Sequence, residues 1–125
     1  MQVLRRKQKS VSVSSFFVSA AGDITSQGGE DGIIKELLNR LSDSAKCRTL
    51  VEVGSWDGKH LSNTYSLLSQ GGWRGLLLEA NPTRSEQARA MYEDMGKEDE
   101  VHCKTAFVSF NESHGGSSLT KLVQQ

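Results

Sequence analysis

The chain has 125 residues, 36% of them apolar and 24% charged, and its formal net charge at pH 7 is zero. These values fit one small folded domain and exclude wholesale disorder. The balanced charge excludes the strongly basic footprint of a nucleic-acid-binding domain, and no apolar run approaches the roughly 18 residues that indicate a membrane span.

The first 25 residues differ from the rest of the chain in charge and composition. Four basic residues and no acidic residue precede Asp23, whereas the remaining chain has 11 basic and 15 acidic residues. The first 22 residues also contain five serines. This composition is typical of an organelle transit peptide, although a disordered tail or a misplaced start codon gives the same pattern. We therefore predict a tail over residues 1–25 and an α/β domain over residues 26–125.

The two cysteines, Cys47 and Cys103, do not form a disulfide framework. Cys103 falls in a predicted strand, where a thiol behaves as a small buried apolar group. Reduced thiols predict an intracellular protein, located in the cytoplasm or, if the tail is a transit peptide, in an organelle.

Helical and strand patterns alternate along the predicted domain. Apolar residues at helical spacing predict a first helix, in which Glu30 and Asp31 occupy the first turn. Thr83 and Glu86 match a capping box, with Thr83 as the N-cap of the third helix. The predicted elements are a helix over 29–41, a strand over 48–54, a helix over 60–70, a strand over 75–80, a helix from Thr83 to Gly96 and a strand over 101–108.

This alternation predicts an α/β fold with parallel strands joined by right-handed crossovers. We expect three parallel strands in the order 3-2-1, which is one half of a doubly wound, Rossmann-like sheet. The second strand is apolar on both faces until Glu79, as expected for a central strand covered by helices.

Two features lie at the carboxyl ends of the predicted strands, where parallel sheets bind ligands. One is the glycine turn from Gly54 to Gly58, and the other is Glu79, whose carboxylate can accept hydrogen bonds from ribose hydroxyls. Trp56 stands where a dinucleotide fingerprint needs its second glycine, and a phosphate-binding G-x-x-x-x-G-K-[ST] motif is absent. The pattern therefore favours a nucleoside ligand without a pyrophosphate, and S-adenosylmethionine is the leading example.

Three separated blocks carry a family resemblance: SQGGEDGII at 26–34, VEVGSWDGKHLSNTYSLL at 51–68 and GWRGLLLEANP at 72–82. Their order and spacing resemble the FkbM-type branch of class I methyltransferases, from about Ser26 to about Ser109. The resemblance implies that the cofactor is S-adenosylmethionine. It also implies methyl transfer to a hydroxyl oxygen of a small-molecule or glycan acceptor.

The resemblance also implies a set of site residues. Glu52, Gly54 and Gly58 match the first cofactor motif, and Glu79 matches the acid that binds the ribose. The remaining matches are Ser55, Trp56 and Asp57 beside the methionine portion, Ala80 and Asn81 towards the adenine, and Ser62 and Asn63, which open the next helix, at the methionine carboxylate. Gln27, Glu30 and Asp31 match an accessory block near the cofactor entrance.

Several of these residues have structural alternatives. Glu52 could cap backbone amides, and Trp56 could serve packing alone. His60 is more typical of an ordinary helix start than of a catalytic base. His102, Cys103 and His114 have no recognisable metal-ligand spacing, so we expect no metal site.

Only three strands of a seven-strand methyltransferase core can be assigned in this chain. We therefore expect a fragment, inactive alone, whose apolar first strand forms a sheet edge that a second copy or a partner chain covers. Two alternatives remain open: a non-catalytic methyltransferase-like remnant that acts as an interaction module, and half of an NAD-binding oxidoreductase.

Overall fold

The computed structural model describes residues 12–45, 47–109 and 115–124. It is an α/β structure in which three parallel strands form one sheet in the order β1-β2-β3. The helices are α1 (Val13–Ala20), α2 (Glu30–Arg40), α3 (Tyr65–Gln70), α4 (Pro82–Asp94) and α5 (Leu119–Val123), and the strands are β1 (Thr49–Val53), β2 (Arg74–Glu79) and β3 (Val101–Thr105). The predicted α/β class, the three parallel strands and their order are confirmed, and the Rossmann-like methyltransferase fold stays a prediction.

The central strand β2 pairs with both β1 and β3 and is apolar on both faces. Its Leu76 lies opposite Val51 of β1, and its Leu77 lies opposite Cys103 of β3. Leu77 and Leu78 point to opposite faces of the sheet and are both buried. Burial of each such side chain stabilises the fold by about 1.5–3 kcal/mol.

Helices α3 and α4 pack on one face of the sheet and form the core with it. Gly75 of β2 permits this packing, because a Cβ atom at that position would lie 2.8 Å from Leu68 Cδ2. The buried core residues are Leu68, Leu77, Ala88, Tyr92, Val101 and Cys103. Burial, the larger cause, raises the pKa of the Cys103 thiol to about 11, although Arg89 nearby opposes the rise.

The opposite face of the sheet is covered less completely. Val51 and Val53 of the edge strand β1 are 42% and 53% exposed. On the β3 side, Leu122 of α5 is buried and lines a cavity of about 610 Å³ with Leu76 and His102. The expectation that another chain covers the β1 edge stays a prediction.

Two helix starts differ from the sequence-based predictions. Helix α3 begins at Tyr65 and not at residue 60, because the Glu52 side chain binds the segment before it, as described below. Helix α4 has Asn81 as its N-cap and not Thr83. The Asn81 Oδ1 atom accepts hydrogen bonds from the backbone N–H groups of Thr83 and Arg84, and Pro82 occupies the first helical position.

The predicted tail is described only in part. Residues 1–11 lie outside the described residues, and α1 packs against α2. Gly32 of α2 allows the end of α1 and the residues after it to pass close by, since a Cβ atom at Gly32 would lie 2.8 Å from the Ala20 carbonyl oxygen and 2.5 Å from the Gly22 nitrogen. None of the helices in the part of the chain that the structure describes combines the length and apolarity that a bilayer crossing needs. The transit-peptide interpretation stays a prediction.

Candidate functional site

The carboxyl ends of β1 and β2 meet at one edge of the sheet. Gly54 and Ser55 donate backbone hydrogen bonds to the carbonyl of Leu78 at 2.7 and 3.2 Å. Trp56 then donates its backbone N–H to Glu79 Oε2 at 2.9 Å. The glycine turn and the carboxylate that were predicted to form the site are therefore adjacent.

The two glycines of the turn have different surroundings. Both have a positive φ, +75° at Gly54 and +81° at Gly58, which L side chains rarely adopt. A Cβ atom on Gly58 would lie 3.0 Å from Ala88 Cβ and 3.1 Å from Tyr92 Cε2, so Gly58 packs against helix α4. A Cβ atom on Gly54 would meet no atom within 4 Å. Gly54 therefore leaves space for a ligand to approach the backbone, whereas Gly58 serves packing.

Glu79 connects the two loops that follow β1 and β2. Its carboxylate is mostly buried, with Oε2 accepting from the Trp56 N–H and Oε1 accepting from the Asn81 N–H at 2.8 Å. Each carboxylate oxygen can accept a second hydrogen bond. Glu79 can therefore hold both loops and still accept hydrogen bonds from a ligand.

Glu52 is bound by the loop that precedes α3. Its Oε2 atom accepts hydrogen bonds from the hydroxyls of Ser62 and Thr64 at 2.8 and 2.6 Å, and Oε1 accepts from the Asn63 N–H at 3.1 Å. These contacts are those of a structural carboxylate. The prediction that Ser62 and Asn63 open the helix is wrong, because both precede it and direct donors at Glu52.

The residues between the two glycines have three different environments. Ser55 is buried, and its hydroxyl has no hydrogen-bond partner among the described residues. Trp56 has a positive φ of 52°, and its side chain is 41% exposed. Asp57 Oδ1 accepts from the backbone N–H groups of Lys59 and His60, which closes a local turn. The turn therefore contains one buried hydroxyl without a hydrogen-bond partner, directly beside Gly54.

The segment before the accessory block lies beside the same loop. Thr25 donates its hydroxyl to the Ser62 carbonyl at 2.8 Å. A cavity of about 420 Å³ lies between the two segments and is lined by Ile24, Thr25, Ser26, Asp57, Lys59, His60 and Leu61. The segment over residues 24–26, directly before the accessory block, therefore lies next to the loop after β1. Gln27, Glu30 and Asp31 do not line that cavity, and Gln27 is exposed.

The two acids of the accessory block have structural partners. Asp31 is 1% exposed, and its carboxylate accepts hydrogen bonds from the backbone N–H groups of Ile24, Thr25 and Ser26 and from the Ser26 hydroxyl. Burial opposes ionisation of Asp31, but these hydrogen bonds outweigh it and hold its pKa below the ordinary value of 3.8. The hydrogen bond from the Gly28 N–H likewise lowers the pKa of Glu30.

Three residues at this edge were not predicted from the sequence. Thr64 is a third residue that donates a hydrogen bond to Glu52, and Tyr92 donates its hydroxyl to the Gly58 carbonyl at 3.1 Å. The Arg84 guanidinium lies 4.4 Å from the centre of the Trp56 ring. The position of Arg84 in the first turn after β2 is the one sequence signal that could have identified it.

No group of three or more metal-binding side chains is found within residues 12–45, 47–109 and 115–124. His102 is exposed and Cys103 is buried, so the two point to opposite faces of β3. His114 lies outside the described residues. Ala80, at the end of β2, is exposed beside Glu79.

Comparison with protein-family models, with curated proteins and with solved structures gives no significant match to this chain.

Proposed function

We propose that the chain binds S-adenosylmethionine at the carboxyl ends of β1 and β2, as the cofactor-binding part of a methyltransferase. The observation that carries this proposal is the contact between the open Gly54 turn and Glu79 on adjacent parallel strands. When bound, this cofactor supplies a methyl group on a positively charged sulfur. The methyl acceptor is a hydroxyl oxygen of a small molecule or a glycan.

The chain's own groups fit an adenosyl ligand. The Glu79 carboxylate faces the turn and keeps acceptor capacity for two ribose hydroxyls. Gly54 lets the ligand approach the backbone. Trp56 occupies the position where a pyrophosphate would need a second glycine, which disfavours NAD.

A nucleoside-binding module without turnover is a second candidate. The contacts of Glu52 favour it, because the Ser62 hydroxyl and the Asn63 N–H are directed at this carboxylate and not at a ligand. The two candidates share the same ligand and differ in methyl transfer. Transfer of a labelled methyl group by this chain, alone or with a partner chain, separates them.

Isothermal titration with S-adenosylhomocysteine tests the shared part of the proposal. We expect binding to the 125-residue chain, tighter than binding of NAD, and a loss of affinity in Gly54→Ala. The added methyl group fills the space beside the turn, which should weaken binding by roughly 5- to 150-fold on the scale of overpacking energies.

Gly96→Ala is the matched control for this substitution. Gly96 also has a positive φ, +66°, and also has no atom within 4 Å of a Cβ position, but it lies after the C-cap of helix α4. The two variants should lose similar stability, and only Gly54→Ala should lose affinity. Absence of S-adenosylhomocysteine binding to the unaltered chain, or equal affinities of the two variants, would overturn the proposal.

A further inference from the structure

The proposed site lacks an obvious surface for the purine ring of its ligand. The family resemblance implies that the adenine lies towards Ala80 and Asn81. The Asn81 Oδ1 atom, however, already accepts from the Thr83 and Arg84 N–H groups as the cap of α4, and the Asn81 N–H is bound by Glu79. The purine therefore needs another partner at this edge.

The Trp56–Arg84 pair offers such a partner. The Arg84 guanidinium lies 4.4 Å from the centre of the indole ring, and its Nη1 atom donates to Gln87 Oε1 at 2.8 Å, which fixes its orientation. No carboxylate lies within salt-bridge distance of Arg84 among the described residues. The pair is attached to the site directly, since the Trp56 N–H is bound by Glu79.

We infer that the Trp56–Arg84 pair is the surface on which the purine ring of the nucleoside stacks, and not, as the family resemblance implies for Trp56, a contact of the methionine portion. Guanidinium groups and indole rings both present flat, polarisable faces on which bases stack. The inference rests on the proposed function, because it places the adenine of the same ligand whose ribose contacts Glu79.

Trp56 fluorescence tests the inference. The chain has two tryptophans, so Trp73→Phe leaves Trp56 as the single indole emitter. Titration of this variant with S-adenosylhomocysteine and with adenosine should quench its emission. Arg84→Ala and Arg84→Lys should both weaken binding by roughly 5- to 150-fold, because one base–side chain stack is worth about 1–3 kcal/mol. Lysine keeps the charge but has no planar face.

Arg40→Lys is the matched control. The Arg40 guanidinium stacks on Phe16 at 4.5 Å, on helix α2, so this substitution alters an equivalent pair without touching the site. It should leave the affinity for both nucleosides unchanged.

The outcomes separate the inference from the proposed function. Binding of S-adenosylhomocysteine that is unaffected by both Arg84 variants overturns the inference and leaves the function intact. Retention of binding in Arg84→Lys but not in Arg84→Ala identifies a charge contact and also overturns the inference. Binding of adenosine that depends on Arg84, without binding of S-adenosylhomocysteine, supports the stacking surface and refutes the function. Binding of neither nucleoside refutes both.

Discussion

Gly58→Ala should reduce the free energy of unfolding by about 2–5 kcal/mol, which is a large share of the stability of a small domain. Two effects add in this variant. The residue has a φ of +81°, which strains any L side chain, and the new methyl group would crowd Ala88 and Tyr92 of helix α4. Urea unfolding followed by circular dichroism measures the change.

Gly96→Ala separates strain from crowding in this experiment. It has a similar backbone conformation without neighbouring atoms, so we expect a loss of about 1–2 kcal/mol from strain alone. If Gly58→Ala and Gly96→Ala unfold at the same urea concentration, the close packing of the turn against α4 is refuted.

Asp31→Asn should destabilise the chain by about 2–3 kcal/mol near pH 7. An amide can present one oxygen but not two, so its NH₂ group would face hydrogen-bond donors that the carboxylate now accepts. Glu36→Gln is the matched control on the same helix. The Glu36 ion pair with Arg40 is exposed, so its loss should change stability by less than about 1 kcal/mol.

The Asp31 effect should also depend on pH. The native pKa of this carboxyl lies below the ordinary value of 3.8, so the stabilisation is complete above that value and is lost as the pH falls through the native pKa. The difference in unfolding free energy between the unaltered chain and Asp31→Asn should therefore be constant between about pH 5 and 7 and shrink below about pH 4. A difference that does not change with pH would contradict the account of Asp31.

The sheet could be predicted from the sequence because its signals are local. The run GLLLEA at 75–80 is apolar on both faces until Glu79 and lies between a glycine pair and Asn81-Pro82, which indicates a central strand and its approximate ends. The alternation with helices then gives parallel pairing. The order of the strands follows from short crossover connections.

The start of α3 could not be predicted, because a distant side chain determines it. Residues 60–64 have helix-compatible apolar spacing, but Glu52 on β1 accepts donors from Ser62, Asn63 and Thr64 and keeps that segment out of the helix. The predicted N-cap of α4, Thr83, was wrong for a different reason. Asn81 and Thr83 are both good caps, and Pro82 favours the first helical position, which selects Asn81.

The sequence predicted which loops and strand ends meet at the candidate site, but it did not predict most of the side-chain contacts there. Strand order alone brings the Gly54 turn beside Glu79, so this contact followed from the topology. The different surroundings of Gly54 and Gly58 depend on where α4 packs, which the glycine spacing does not encode. The Trp56–Arg84 contact joins residues 28 positions apart, and neither local propensity nor motif spacing indicates it.

The most direct test of the nucleoside site is a chemical-shift map of the ¹⁵N-labelled chain titrated with S-adenosylhomocysteine. We predict that the largest changes in backbone amide shifts fall on Gly54, Ser55, Trp56 and Asn81, at the carboxyl ends of β1 and β2. Absence of changes, or changes centred on the cavity beside Cys103 and Leu122, would contradict the proposed site.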